Sequence, residues 1–254
     1  MVDSGAFTAH RRDTIINCDE YIDWLNKNNS YLECYVQLDQ IPGKWGQKRS
    51  KQDILSAERA SWENYVYMVS KLKDPFKLLA VFHMDENFDN LKRLLDFKID
   101  GNKVPYICIS GAKDRTASER CEWYHKCFQI IRESDNKDVK VHCLGCSTFG
   151  DLSLFPFYSS DSTSWALISG LGKILDKDVI SVSQNLLKNA EIAARLNYLV
   201  PQIKLNCARF GVDFEQLKTS YVARAVYNIQ FMLDWIENNV KNRKEIKIRT
   251  RRLF

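Results

Sequence analysis

Tyr158-Ser159-Ser160-Asp161-Ser162-Thr163-Ser164-Trp165 sets a single carboxylate among serines and a threonine, directly after the apolar run Leu152 to Phe157. Upstream, Val139-Lys140-Val141-His142-Cys143-Leu144-Gly145 alternates β-branched and apolar residues and stops at a glycine, the pattern of a short buried strand. Ser147-Thr148 then opens a short helical segment that ends near Phe155-Pro156. Strand, helix and strand in that order form a βαβ unit, and such units build parallel sheets. In parallel sheets and (β/α) barrels the ligand lies at the carboxyl ends of the strands. Asp161 stands at one such end.

The same alternation recurs along the chain. A helix is expected over Cys18 to Asn28, a strand over Tyr31 to Leu38 delivering Asp39, and a polar loop over Pro42 to Ser50. A crossover helix over Lys51 to Leu72 leads to a strand over Lys77 to Phe82 that delivers His83. A helix over Glu86 to Phe97, a strand over Val104 to Ile109 ending at Ser110-Gly111-Ala112, and a helix over Thr116 to Ser134 follow. The chain opens with Met1-Val2-Asp3-Ser4-Gly5, where almost no strand precedes Asp3; with that stub there are six strand positions. Asp178 to Ser183 is a candidate for one more.

The expected fold class is therefore α/β, a (β/α)8 TIM-barrel-like domain over residues 1–183, short of a strand or two at its N-terminal side. That shortfall leaves room for a partner subunit or a second copy to complete the barrel. From about Gln184 to residue 240 the pattern turns wholly helical, with a predicted break before Pro201, and these helices are expected to pack on the barrel as a C-terminal layer. Residues 241–254 form a basic tail.

At 254 residues, with 45% hydrophobic and 27% charged residues, the composition is that of an ordinary globular protein. No apolar run approaches the roughly 18 to 20 residues that span a bilayer, and Met1 to Arg12 carries no apolar signal segment, so a cytoplasmic location without a membrane partner is expected. The eight cysteines are scattered through predicted strands and helices and read as reduced thiols. Cys143 and Cys146 form a lone Cys-x-x-Cys, which without a second pair reads as buried strand thiols before it reads as a zinc site.

The formal net charge of +5 is local. Lys241, Arg243, Lys244, Lys247, Arg249, Arg251 and Arg252 against Glu245 contribute +6, leaving −1 for the rest of the chain. Such a tail can neutralise phosphates of a nucleic acid, or can simply be a solvated terminus.

Asp3, Asp39, His83, Ser110-Gly111, His142 and Asp161 all fall at expected strand ends. Carboxylates sharing one pocket push their pKa values apart, so one can stay ionised while another carries a proton. That division suits substitution at a sugar anomeric carbon. Each residue also has a plainer reading: Asp3 before Ser-Gly as a turn or cap, the two histidines as core residues, Asp161 as the cap of a helix starting near Thr163. The histidines and carboxylates together could instead hold metal ions for hydrolysis. Periodicity and spacing alone support a barrel-like enzyme with a site made of carboxylates.

Six short stretches in order resemble the tRNA-guanine transglycosylases, the enzymes that exchange guanine for a 7-deazaguanine base such as the precursor of queuosine. Asp3-Ser4-Gly5-Ala6-Phe7 is similar to the family's Asp-Ser-Gly-Gly-Phe, and Leu38-Asp39 to its Phe-Asp-Glu. Ala80-Val81-Phe82-His83 with the helix after it resembles Ile-Val-Gln-Gly-Gly, and Cys108-Ile109-Ser110-Gly111-Ala112 its Gly-Gly-Leu loop. His142 to Leu152 is similar to Met-Gly-Val-Gly-Thr-Pro-Glu-Asp-Leu, and Asp161-Ser162 falls where the family has its nucleophile. The Ser-x-Asp-Ser-Thr-Ser-Trp form resembles most the small phage-type DNA-guanine transglycosylases, which implies DNA before tRNA as substrate, in the host cytoplasm.

The resemblance implies Asp161 as nucleophile and Asp3 as proton shuttle. It also implies base contacts from Asp39, His83, Ser110, Gly111, Ala112 and His142, and no metal or organic cofactor in the exchange itself. Ala6, His83 and Ser110 depart from the family pattern. The family's zinc ligands, three cysteines and a histidine, are absent: after Asp161 the chain has Cys207 and no histidine. A non-catalytic nucleic-acid-binding relative is the remaining alternative.

Overall fold

In the computed structural model, which describes residues 1–47, 49–111, 115–176 and 178–241, the chain divides into a first unit, Met1–Asp161, and a second that begins at Ser162. The first unit runs α1 (Ala6–Arg12), α2 (Cys18–Asn28), β1 (Tyr35–Val36), α3 (Lys51–Lys71), β2 (Leu78–His83), α4 (Phe88–Asp96), β3 (Lys98–Ile99) and β4 (Asn102–Lys103). It continues with β5 (Tyr106–Ser110), α5 (Ala117–Glu133), β6 (Lys140–Cys143), α6 (Phe149–Leu154) and β7 (Ser159–Ser160).

Five strands pair side by side in the order β1-β2-β5-β6-β7, every pair parallel. Val2 adds a sixth position through a parallel bridge to Tyr35, its N–H donating to Cys34 at 3.0 Å and its carbonyl accepting from Val36 at 2.9 Å. The sheet curls into a half-barrel, and β3 and β4 form a separate antiparallel pair.

Helices start where the sequence supplies caps. Ser50 and Asp53 cap each other's backbone at the start of α3, and Thr116 and Glu119 do so at the start of α5. Asn17 and Asn87 accept from the first N–H groups of α2 and α4. Strand side chains alternate between two faces. Tyr35, Leu78, Ala80, Phe82, Ile107, Ile109, Val141 and Cys143 join the large core, which also takes in buried residues of α2, α3, α4 and α5. Val36, Leu79, Val81 and Cys108 form a smaller cluster on the other face, with Cys34, Tyr106 and Leu144 packed against it.

The second unit contains α7 (Ser164–Gly170), β8 (Lys173–Leu175), β9 (Val179–Ser181), α8 (Ala190–Phe210), α9 (Phe214–Thr219) and α10 (Tyr221–Ile236). The strand expected over 178–183 belongs here and not to the barrel: β9 pairs antiparallel with β8. Three residues separate Leu175 from Val179, and a parallel crossover needs about a dozen. The boundary thus falls some twenty residues before the expected one at 183. The helices also have a core of their own with the hairpin, comprising Ile174, Ile180, Val182, Leu196, Ile203, Cys207, Leu217, Ala223 and Tyr227. The predicted break at Pro201 does not occur. Pro201 costs α8 one backbone hydrogen bond, but Leu196 before it and Ile203 and Cys207 after it anchor both halves in the same core.

In the first unit the other expected bounds hold to within a residue or two, except the strand over 31–38; in the second, the long helix expected from about Gln184 begins at Ala190. The strand contracts to Tyr35–Val36, because Asn29–Tyr31 forms a tight helical turn first. No helix among the described residues is long and apolar enough to cross a membrane. All eight cysteines are free thiols.

Asn228, fully buried on α10, holds the hairpin. Its Oδ1 accepts from the Leu175 N–H at 2.7 Å, and its Nδ2 donates to Ser169 Oγ at 2.9 Å and to the Trp165 carbonyl at 3.2 Å. Asn228→Ala leaves the Leu175 N–H without its acceptor in a closed interior, while Ser169 Oγ still donates to the Trp165 carbonyl, so chemical denaturation is expected to show a loss of about 1–3 kcal/mol. Hydrogen exchange should show the Leu175 amide losing its protection.

Candidate active site

Parallel pairing puts the carboxyl ends of Val2, β1, β2, β5, β6 and β7 along one edge, and Asp3, Asp39, His83, Ser110, His142 and Asp161 lie on it. Asp3 feels the charges of both Asp39 and Asp161, as does the thiol of Cys108 on the floor between them. The three carboxylates therefore stand along one sheet edge, with Asp3 in electrostatic reach of the other two.

Asp161 is the best supported of them. It is about half exposed, while His142 beside it is 1% exposed at its side chain. His142 Nε2 lies 3.0 Å from Asp161 Oδ1, and the N–H of Gly145 donates to the same oxygen at 2.7 Å. Gly145 reaches this position at φ 67°, a left-handed conformation that a Cβ would strain. Burial works to raise the pKa of Asp161. The hydrogen bonds from His142 and Gly145 outweigh it and hold the carboxyl below its ordinary value. Both of these donors sit on Oδ1, and the backbone N–H of Asp161 itself adds a third hydrogen bond to the carboxyl.

His142 is itself held. Ser159 Oγ, its direct neighbour across the β6–β7 register, lies 2.5 Å from Nδ1, and the Tyr106 hydroxyl hydrogen-bonds to the same Ser159 Oγ. The donors can be assigned by elimination. An ionised Asp161 only accepts, so Nε2 carries a proton; with Nδ1 unprotonated, Nδ1 accepts from Ser159, and Ser159 accepts from Tyr106. Burial pushes the Tyr106 phenol up to about 12, which keeps it a donor. Tyr106 to Ser159 to His142 to Asp161 is one directional relay.

Asp3 behaves oppositely. Partial burial, then the charges of Asp39 and Asp161, raise its pKa despite hydrogen bonds from the N–H groups of Ser4 and Gly5. Two carboxyls on one edge are thus displaced in opposite directions, and between their pKa values Asp161 is ionised while Asp3 holds its proton.

Elsewhere on this edge, His83 Nε2 and Asp39 Oδ2 are 2.7 Å apart, with 17% and 5% of their side chains exposed. Burial disfavours the imidazolium, yet the Asp39 hydrogen bond and charge prevail and raise the His83 pKa. Glu86 accepts from the His83 N–H at 3.1 Å, and burial lifts its carboxyl to about 7. Asp39 therefore offers only its second oxygen outright to a ligand.

Ser110 ends β5 opposite His83, and its carbonyl accepts from the Met84 N–H at 2.9 Å. A Cβ on Gly111 would collide with the Tyr124 hydroxyl, so this position admits only glycine without a shift. The Tyr124 hydroxyl also contacts Cys143 Sγ at 3.3 Å. The Cys143 thiol hydrogen-bonds Cys146 and pulls the latter's pKa down to about 7. Ala112, Arg243, Lys244, Lys247, Arg249, Arg251 and Arg252 lie outside the described residues, and Lys241 closes the last described turn.

Sequence reasoning missed Ser159, Tyr106, Gly145 and Glu86. The serine run before Asp161 held the signal for Ser159, but only the register of β7 against β6 selects it over Ser160. Comparison of the chain with protein-family models and with curated proteins finds no match to either.

Two outcomes are expected. Ser159→Ala removes the donor to Nδ1, so nitrogen NMR should show His142 leaving a single Nε2–H tautomer and the Asp161 carboxyl titrating at higher pH. An unchanged ring spectrum would contradict the relay. Asp3→Asn should raise Tm at neutral pH. A carboxyl with a raised folded pKa stabilises below its unfolded pKa and loses that contribution as pH rises through the folded value, so the gain should vanish in acid, where Asp3 is already protonated.

Proposed function

We propose that the chain is a base-exchange transglycosylase that replaces guanine in a nucleic acid, DNA before tRNA, by a 7-deazaguanine base. The observation that carries this reading is the opposite displacement of Asp161 and Asp3 on a single sheet edge. The ordered resemblance of six short stretches to the tRNA-guanine transglycosylases supports it independently.

The exchange takes two displacements. The Asp161 carboxylate attacks C1′ of the target nucleotide; the C1′–N9 bond breaks and its electron pair leaves with guanine, which takes the proton held by Asp3. The 7-deazaguanine base then enters, gives its N9 proton to the Asp3 carboxylate and attacks C1′, and the bond to Asp161 breaks. The relay through His142 keeps Oδ1 engaged, so that Asp161 stays ionised. The open oxygen of Asp39 accepts from the base's N1–H and amine edge, and the hydrogen bond between His83 Nε2 and Asp39 Oδ2 fixes the orientation of that carboxyl.

A metal-dependent hydrolase would need His83 and His142 to converge with the carboxylates. Each is instead hydrogen-bonded to its own carboxylate, which favours the base-exchange reading.

Incubation with a guanine-containing oligonucleotide and a 7-deazaguanine base should give a covalent protein–nucleic acid adduct on a denaturing gel. Asp161→Asn should abolish the adduct and slow exchange by a factor on the order of 10⁴ or more. Absence of an adduct with both DNA and RNA, and of base incorporation, would end this reading. The pH profile should be a bell: activity falls on the acid side as Asp161 is protonated and on the alkaline side as Asp3 loses its proton, and Asp3→Asn should remove the alkaline limb.

A further inference from the structure

The site presents a problem for any nucleic acid. Three carboxylates stand along its edge, and a phosphodiester backbone carries one negative charge per nucleotide, so the strand must be held by cations outside the site. Such cations stand on the two segments that leave Asp3 and Asp39. Arg11 and Arg12 lie exposed on α1, which starts three residues after Asp3, and Lys44 and Arg49 lie exposed on the loop after Asp39. Among the described residues none of the four has an ion-pair partner. Asp53, the acid just past the loop, is occupied in capping Ser50.

The same two segments meet through aromatic rings. Trp45 keeps 53% of its surface exposed and Phe7 keeps 46%. Their centroids are 5.4 Å apart with planes at 88°, and His10 meets Trp45 from α1 at 6.3 Å. The contact joins α1 to the loop into one face. Arg49 lies within electrostatic reach of both His10 on that face and His83 on the edge, so the face borders the site. Two large rings left half in water beside unpaired cations are costly to solvate and match a base on one side and a phosphate on the other.

We propose that Phe7, Arg11, Arg12, Lys44, Trp45 and Arg49 form the docking surface for a single-stranded nucleic acid, with a base flanking the target nucleotide stacked on Trp45. This rests on the transglycosylase reading only for the fate of the target nucleotide; the surface itself requires an unpaired strand. Stacking on Trp45 demands a base already out of a duplex, which distinguishes this surface from a phosphate-tracking patch that would take either form.

The test uses the full chain and a 12-nucleotide guanine-containing DNA as single strand and as duplex, followed by anisotropy at two salt concentrations. The single strand should bind more tightly than the duplex and quench tryptophan emission, and the quench should shrink in Trp45→Phe. Trp45→Ala should weaken single-strand binding about tenfold. The double variant Arg11→Glu, Arg12→Glu should lower the salt slope by about 0.7 for each phosphate that is no longer neutralised. Duplex bound as tightly as single strand, or wild-type affinity in both variants, would overturn the proposal. Weakened binding in the variants together with no base exchange by the wild type would leave the surface standing and remove the transglycosylase reading. Exchange that persists at wild-type affinity in both variants would do the reverse.

Discussion

Parallel pairing is the constraint from which the site follows. A chain that lays each new strand beside the last in the same direction must cross back every time, and it does so with α3, α4, α5 and α6. Every carboxyl end then faces the same way. Residues as far apart in sequence as Asp3 and Asp161 come within electrostatic reach because each is the first polar residue past a strand on one edge. The isolated pairing of Val2 with Tyr35 is enough to include Asp3 in the row.

Once gathered, the carboxyls acquire different characters from their neighbours. Asp161 receives two donors on one oxygen, one from a buried histidine and one from a glycine turn. Asp3 is partly buried, receives the negative field of the other two as well, and keeps its proton longer. Asp39 and His83 form a pair of their own. One row of similar residues thereby becomes three kinds of group: a carboxyl held below its ordinary pKa, one held above it, and one paired with a histidine, without any one of them being chemically unusual in isolation. The helices and hairpin of the second unit have a separate core, anchored by Asn228 and by the Arg224 guanidinium on the carbonyls of Ser169 and Leu217.

Much of this was legible in the residue order. Cap residues and apolar spacing located α2, α3, α4 and α5 because those signals act within a few residues of where they are written. Alternating apolar runs located the strands, and with them Asp39, His83, His142 and Asp161 as strand-end residues. Local signals were insufficient in three places. The run at 178–183 has strand composition, but only its short distance from β8 makes it a hairpin. Pro201 has a breaker's chemistry, and burial on both sides overrides it. The boundary at Asp161 leaves no compositional mark.

The sequence by itself determined that a parallel α/β unit would end its strands on acids and histidines, because periodicity and turn chemistry are local. The tertiary structure alone decided which of those residues touch. That Ser159 and not Ser160 meets His142, that Gly145 aims its N–H at Asp161, and that Glu86 folds back on His83 depend on register and backbone dihedrals across separate segments. The pKa ordering of Asp161 and Asp3 is likewise a property of distances and burial, which no linear spacing encodes.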